Sequence, residues 1–369
     1  MDYIWQQENF PDFSFQKEKL IPVIEQFTLN LGELNGLFQN FEKETKLDIF
    51  TEVMLAEAIK TSEIEGEFFS REDVMSSLKA NLGIKSYHRK TRSKKANSIA
   101  KLMIAVQKSY KIKLTSELLL GWHKILMENE EGVNAGTFRK GKDTMQVISG
   151  KFGKIQVHYE APPSKDLPKM SKDFIKWYHS FKVSDMGKIG EAMVFSALVH
   201  LYFETLHPFE DGNGRIGRAL AEKALAEKLE IPIFLSISNS IEKDKKKYYS
   251  ELKKAQQNMQ ITRWLMYFCT ILNDALLNSK KIAAFTLKKT SYFDRYKNQF
   301  NERELKAIQK MMITGEEEFQ GGLTAKKYIS INKTSKATAT RDLQHLAEIG
   351  ALEKEGGGRS VSYKLNFSK

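Results

Sequence analysis

His207-Pro208-Phe209-Glu210-Asp211-Gly212-Asn213-Gly214-Arg215-Ile216-Gly217-Arg218 places a titratable base, two carboxylates, a Gly-Asn-Gly turn and two guanidiniums within twelve positions. Upstream, Ile189 to Leu206 is rich in helix formers and apolar residues, with Met193, Ala197 and Leu201 at four-residue spacing, which predicts a buried helix. Pro208 disfavours the α conformation at His207, so that helix stops there. A second helical pattern follows Arg215, with Ile216, Leu220 and Ala224 on one face, and residues 208–214 form the turn between the two helices. Gly212, Asn213 and Gly214 lie where the second helix begins. Glycines allow positive φ and close approach by a ligand, and the unpaired first amides of a helix suit an anion. Arg215 and Arg218 share a helix face and present planar forks to phosphate oxygens. Asp211 offers an oxygen to Mg²⁺, which binds through one or two carboxylates plus substrate phosphates. His207, with an ordinary pKa near ~6.5, can take a hydroxyl proton at neutral pH. A lone histidine, a lone Gly-Asn-Gly or a lone arginine pair is usually structural; in this fixed order they read as a phosphate site with a base at its mouth. Glu210 reads as a solvated carboxylate. Glu204 and His207 also spell Glu-x-x-His, but a di-iron bundle needs a second such pair with further inward glutamates, and none is evident.

The run resembles the signature of the Fic family, His-x-Phe-x-Asp/Glu-Gly-Asn-Gly-Arg-x-x-Arg, and every defined position is filled. The resemblance implies a mainly α fold: a Fic-type helical core with a small β-hairpin flap. It also implies an enzyme that transfers AMP from ATP, with Mg²⁺, to a Ser, Thr or Tyr hydroxyl of a protein. On that reading His207 is the base, Asp211 holds the metal, and Gly212, Asn213, Gly214, Arg215 and Arg218 grip the nucleotide phosphates. Related proteins transfer UMP or phosphocholine, and the same site in self-inhibited members can remove AMP.

Thr61-Ser62-Glu63-Ile64-Glu65-Gly66 closes a helical stretch from about 48 to 65, with Gly66 as its C-terminal stop. Thr-x-x-x-Glu-Gly is similar to the inhibitory helix of many Fic proteins. This implies that Thr61, Glu65 and Gly66 form a brake in which Glu65 pairs with Arg218. Taken alone, the acidic run at 63–67 is equally a solvated face. The first forty residues, with Trp5, Pro11 and Phe13, resemble the region that precedes this motif in a subset of the family.

Between these motifs, Val147 and Ile148, then Ser149 to Gly153, then Ile155, Val157 and Tyr159 predict two short strands around a glycine turn. The family has a hairpin flap here that docks its target by strand addition, which would make Val147, Ile148, Ile155 and Val157 docking positions. Gly136-Thr137-Phe138-Arg139 is also family-like, with no chemical role evident from sequence. Tyr248 and Tyr249 lie on an amphipathic helix where the family places its adenine pocket, and they fit a core equally well. Downstream, helices at 301–312, 324–329 and 334–349 precede two strands flanking Gly356-Gly357-Gly358-Arg359. This order resembles a winged helix, whose Lys336, Thr340, Arg341 and Arg359 would face DNA. Winged helices also dock proteins or dimerise.

Only seven prolines interrupt 369 residues, and helical patterns cover about 15–43, 48–65, 71–81, 93–110, 115–129, 165–182, 188–206, 214–228, 243–258 and 261–287. The expected organisation is an N-terminal helical region at 1–90 with the inhibitory helix, a catalytic core at 91–290 and a winged helix at 291–369. With 41% hydrophobic and 28% charged residues the composition is that of an ordinary globular chain. No run of eighteen apolar residues occurs, the N-terminus lacks the basic start and apolar core of a signal peptide, and Cys269 is the single cysteine, so a cytoplasmic protein without membrane contact is expected. The net charge of +12 sits in lysine clusters and permits nucleic-acid contact. The expected partners are ATP, an unidentified target protein, DNA through the winged helix, and a second copy in a homodimer. The rival from another class is a DNA-binding regulator with a nucleotide-sensing core; a mere sensor needs neither His207 nor Asp211.

Overall fold

The computed structural model describes residues 3–39, 41–84, 93–141, 145–149, 156–233, 235–312, 319, 321–357 and 360–368. Its elements are α1 (Ile21–Gln39), α2 (Lys43–Ile64), α3 (Arg71–Asn81), α4 (Lys94–Lys108), α5 (Ser116–Met127), β1 (Gln146–Ser149), β2 (Gln156–Glu160), α6 (Leu167–Ser180), α7 (Gly187–Leu206), α8 (Asn213–Leu229), α9 (Ile237–Glu242), α10 (Lys245–Ala255), α11 (Thr262–Tyr296), α12 (Glu302–Met312), α13 (Ala325–Asn332), α14 (Lys336–Glu348), β3 (Leu352–Glu355) and β4 (Ser362–Leu365). The chain divides into two units. One holds residues 1–40 and 50–279, the other residues 41–49 and 280–369.

In the first unit α7 and α8 pack side by side, and they bracket the signature. α7 is long and apolar enough to cross a membrane by composition, yet 89% of that stretch is buried inside the protein, which makes it a core helix. Its neighbours explain why it is apolar all round: Phe195, Val199, Tyr202, Phe203 and Leu206 enter one cluster with Trp122 and Leu126 of α5, Phe174 and Tyr178 of α6, and Ile216 and Leu220 of α8. Thr115, Ser93 and Ser70 cap α5, α4 and α3 by accepting from backbone amides three residues on. β1 and β2 form an antiparallel hairpin with a register shift between Val147 and Ile148. The helical trend at 15–43 gives way to a 3₁₀ turn over Lys17–Leu20 before α1 starts beside Pro22. α2 begins five residues earlier than the apolar pattern suggests, α11 runs nine residues further, and α9 is an addition.

The second unit has its own core of Ala307, Ile308, Met311, Leu323, Tyr328, Ala339, Leu343, Leu346, Leu352 and Tyr363. α13 and α14 are joined by a turn in which Lys333 takes a left-handed conformation (φ 52°). β3 and β4 pair antiparallel, and Leu323 bridges to Tyr363 as a third rung.

Candidate active site

The loop between α7 and α8 is held by its own residues. Asn213 Oδ1 accepts from Phe209 N and its Nδ2 donates to Phe209 O, both at 2.9 Å. The Asn213 side chain is thus committed to closing the loop, and what is left to meet a ligand is the amide end of α8. Gly212 has φ 80°, and a Cβ there would fall 2.3 Å from Met127 Cε, so only glycine fits. His123 of α5 supports the loop from beneath. Gly136 N donates to its Nδ1 at 2.9 Å, which leaves the proton on Nε2 to donate to Asp211 O at 3.1 Å. The ring stacks on Phe209 at 3.9 Å. Burial lowers its pKa and keeps it neutral.

His207 ends α7 in a left-handed conformation (φ 45°, ψ 58°), uncommon for a residue with a Cβ. Arg139 holds it there: Nε donates to His207 O at 2.8 Å, Nη1 to Ser164 Oγ at 2.9 Å and Nη2 to Pro162 O at 2.5 Å, while Arg139 N donates to Pro208 O. Burial first, and the Arg139 charge second, push the His207 ring down to about 4, so it is unprotonated at neutral pH. Its Nδ1 lies 3.9 Å from Glu204 Oε2. Glu204 is itself buried, with Oε1 lacking a hydrogen-bond partner among the described residues and resting where a Cβ on Gly217 would be. Burial lifts this carboxyl to about 8 despite nearby Arg218, so it is largely protonated at pH 7.

Both signature guanidiniums are covered from one segment. Arg218, 1% exposed, donates from Nε to Thr61 Oγ1 at 2.9 Å, and from Nη2 to Thr61 O at 3.0 Å and Glu65 Oε1 at 2.8 Å. Burial opposes charge on both partners, yet their mutual attraction prevails: Glu65 is held below and Arg218 above its ordinary pKa. The Glu65 carboxylate occupies the space that a Cβ on Gly214 would need, directly over the start of α8. Two residues on, Glu67 pairs with Arg215 Nη1. Lys95 then links Glu67 (3.3 Å) to Glu130 (2.5 Å). Gly66, between the two glutamates, has φ 85° and makes the turn that aims both at the loop. Lys245 Nζ donates to Ile64 O at the end of α2.

Asp211 is half exposed at the loop mouth, 3.6 Å from Arg215 Nη2, and its Oδ1 accepts from Gly212 N. Among the described residues no group of three or more His, Cys, Asp or Glu gathers to hold a metal. A divalent cation here would therefore rest on Asp211 together with ligands from a phosphate-bearing substrate. Glu210 corrects the expectation of an idle, solvated carboxylate: its oxygens accept from Asn134 N (3.1 Å) and Nδ2 (3.0 Å) and tie the loop to the turn after α5. Tyr248 is buried, its hydroxyl 2.8 Å from His200 Nε2, which leaves only Tyr249 at the surface. In the hairpin Val157 is 40% exposed, while Tyr159 points inward and its hydroxyl donates to Thr205 O at 2.5 Å beside His207. Ile155 and the side chain of Ile148 lie outside the described residues. Of the residues that hold the site, sequence alone does not single out His123, notes Arg139 without a role, and reads Glu67 as part of a solvated acidic run.

Comparison with known proteins places this geometry in context. Residues 113–225 match the family described as Fic/DOC, and residues 3–84 match a domain of unknown function, DUF4172. A probable protein adenylyltransferase of Aquifex aeolicus is 25% identical over 264 residues, covering 68% of each chain. The protein adenylyltransferase Fic of Drosophila erecta is 26% identical over 148 residues, 40% of this chain and 26% of its own length. The chain thus spans about two thirds of the first relative and about a quarter of the second. Among solved structures, a Fic family protein from Desulfovibrio desulfuricans superposes with a TM-score of 0.54 at 19% identity, covering 93% of this chain and 96% of its own. A Fic domain containing protein from Bacteroides thetaiotaomicron gives 0.52 at 14% identity, over 70% of this chain and 97% of its own. These likenesses establish the fold.

Proposed function

We propose that this chain, whose residues 113–225 match the Fic/DOC family, is a protein adenylyltransferase that moves AMP from ATP to a Ser, Thr or Tyr hydroxyl of a protein, itself included, and that Glu65 and Glu67 hold it in a resting, self-inhibited state. The observation that carries this reading is the buried Arg218 of α8, bound by Thr61 and Glu65, beside the loop that His207 opens.

In the reaction the amides at the start of α8 receive phosphate oxygens, and Arg215 and Arg218 grip the outer phosphates once their carboxylates leave. The target hydroxyl oxygen attacks the α-phosphorus in line, and its proton passes to the neutral imidazole of His207. A new P–O bond forms, the α–β bridge breaks, and pyrophosphate carries off the electron pair. A magnesium ion, when bound, would neutralise phosphate charge, and Asp211 is the residue that would hold it. The flap reading gives Val147, Ile148, Ile155 and Val157 as docking positions for an extended target segment; Val147 and Val157, on β1 and β2 of the same hairpin as the Tyr159 that packs beside His207, support it. We extend the reading to removal of AMP, in which Glu65, already beside the loop, orients a water toward the phosphorus.

The test is transfer of label from α-labelled ATP with Mg²⁺, comparing wild type, Glu65→Gly and Glu65→Gly/His207→Ala. Displacing Glu65 from a guanidinium this buried is expected to cost about 2–3 kcal/mol, so Glu65→Gly should label about thirty- to a hundred-and-fiftyfold faster than wild type. The double variant should be inactive. Equal labelling by wild type and Glu65→Gly would remove the brake from this account, and labelling that survives loss of His207 would remove the base.

A further inference from the structure

The chain's net charge is unevenly placed: residues 280–369 carry eighteen Lys and Arg against ten Asp and Glu, +8 of the total +12. Within the second unit α14 is fixed on one side and bare on the other. Ala339, Leu343 and Leu346 enter the core. Buried Asp342 accepts from Arg303 Nε (2.9 Å) and Nη2 (3.3 Å) of α12 and from the Tyr328 hydroxyl (2.9 Å) of α13, which sets the roll of α14 on both earlier helices. Ser335 caps its first turn. The opposite face exposes Lys336, Thr340, Arg341 and Gln344, and the first acid on it is Glu348 at the very end of the helix. Arg341 lies 3.9 Å from Asp342 but is 73% exposed, so this contact leaves its fork available. Lys333 stands exposed in the turn ahead of α14, whereas β3 of the adjoining hairpin exposes Lys354 between Glu353 and Glu355 and adds no net positive charge.

We propose that this unit is a winged helix-turn-helix that binds double-stranded DNA, with α14 in the major groove. The inference stands apart from the transferase reading and uses none of its residues. A major groove about 12 Å wide admits one helix, and a helix turned outward with two cations flanking a hydroxyl and a carboxamide suits it. Lys336 and Arg341 meet phosphates or guanine edges, Gln344 can both donate to and accept from bases, and Thr340, whose Oγ1 donates to Lys336 O at 2.9 Å, presents its hydroxyl as an acceptor and its methyl as an apolar contact. An acidic protein surface would satisfy the cations alone and give no use to Thr340 and Gln344.

The experiment is fluorescence anisotropy of the full chain with a labelled mixed-sequence 30-base-pair duplex, titrated at several salt concentrations. The variants are Lys336→Ala/Arg341→Ala and, as a charge-matched control on exposed α6 positions of the other unit, Lys172→Ala/Lys176→Ala. Wild type should bind with an affinity that falls steeply with salt. The α14 variant should bind at least tenfold more weakly, with a salt slope shallower by about 1–2, and the control should stay within twofold of wild type. Equal losses in both variants, or no duplex binding at low salt, would overturn the proposal. So would a concentration-dependent dimer abolished by the α14 substitutions without any DNA binding, which would assign the face to a second copy.

Discussion

Glu67 shows what one residue adds to a motif. Arg215 is 4% exposed, and its Nε has no hydrogen-bond partner among the described residues, so its charge leans on Glu67 and Asp211. Glu67 is itself partly exposed, so the pair is worth about 1 kcal/mol. Glu67→Gln alone should raise AMP transfer less than threefold, because Arg218 stays occupied. In the Glu65→Gly background the same change should add several-fold, and steady-state labelling rates of the four proteins check this. Identical rates with and without Glu67 in that background would make the contact incidental. The signature itself was legible because its chemistry lies in one contiguous run. The roles of Glu67, His123 and Arg139 were not, because each acts across distance: 148 residues to Arg215, 88 to Asp211 and 68 to His207. No local spacing encodes such contacts. Tyr248 shows the converse, since a tyrosine on an amphipathic helix reads the same whether it faces a ligand or, as here, a buried histidine.

At the level of elements, the loop between α7 and α8 owes its shape to α5 as much as to the helices it joins. His123 gives it one hydrogen bond, at Asp211 O, and a ring stacked on Phe209, and accepts a second bond from Gly136 N, so His123→Ala leaves Asp211 O and Gly136 N short of a partner and opens a void beneath Phe209. The expected loss is about 2–4 kcal/mol, a drop of several degrees in Tm, together with slower AMP transfer in the Glu65→Gly background. A melt superimposable on wild type would show that the loop stands without this support. Element boundaries were readable where apolar periodicity set them and not elsewhere. The first turn of α2, Lys43-Glu44-Thr45-Lys46, has no apolar face to announce it. α9 is six residues, three of them serine or asparagine, and owes its place to Glu57, which accepts from Ser238 N and Oγ and from Ser236 Oγ.

For the molecule as a whole, the buried titratable groups around the site bound its stability at both ends of the pH scale. His207 and His200 are pushed down to about 4 and about 3, chiefly by burial. The unfolded chain binds their protons first, so stability present above ~6.5 is lost as pH falls below it. Glu204, lifted to about 8, acts oppositely: the folded state keeps its proton, and stability present below ~4.5 fades as pH rises through 8. Tm should therefore peak between these limbs. Glu204→Gln, permanently neutral, should flatten the alkaline limb by about 2–3 kcal/mol between pH 6 and 9. Melts of both proteins across pH 4.5–9 decide it, and parallel alkaline limbs would mean that Glu204 is ionised at neutrality. The double cover over the loop also has a meaning in numbers of molecules. On the self-inhibition proposed above, a hundredfold brake would leave about one chain in a hundred open at any instant. The basal output of the population then scales with how many copies are present, and abundance becomes a dial that works without any signal at the site.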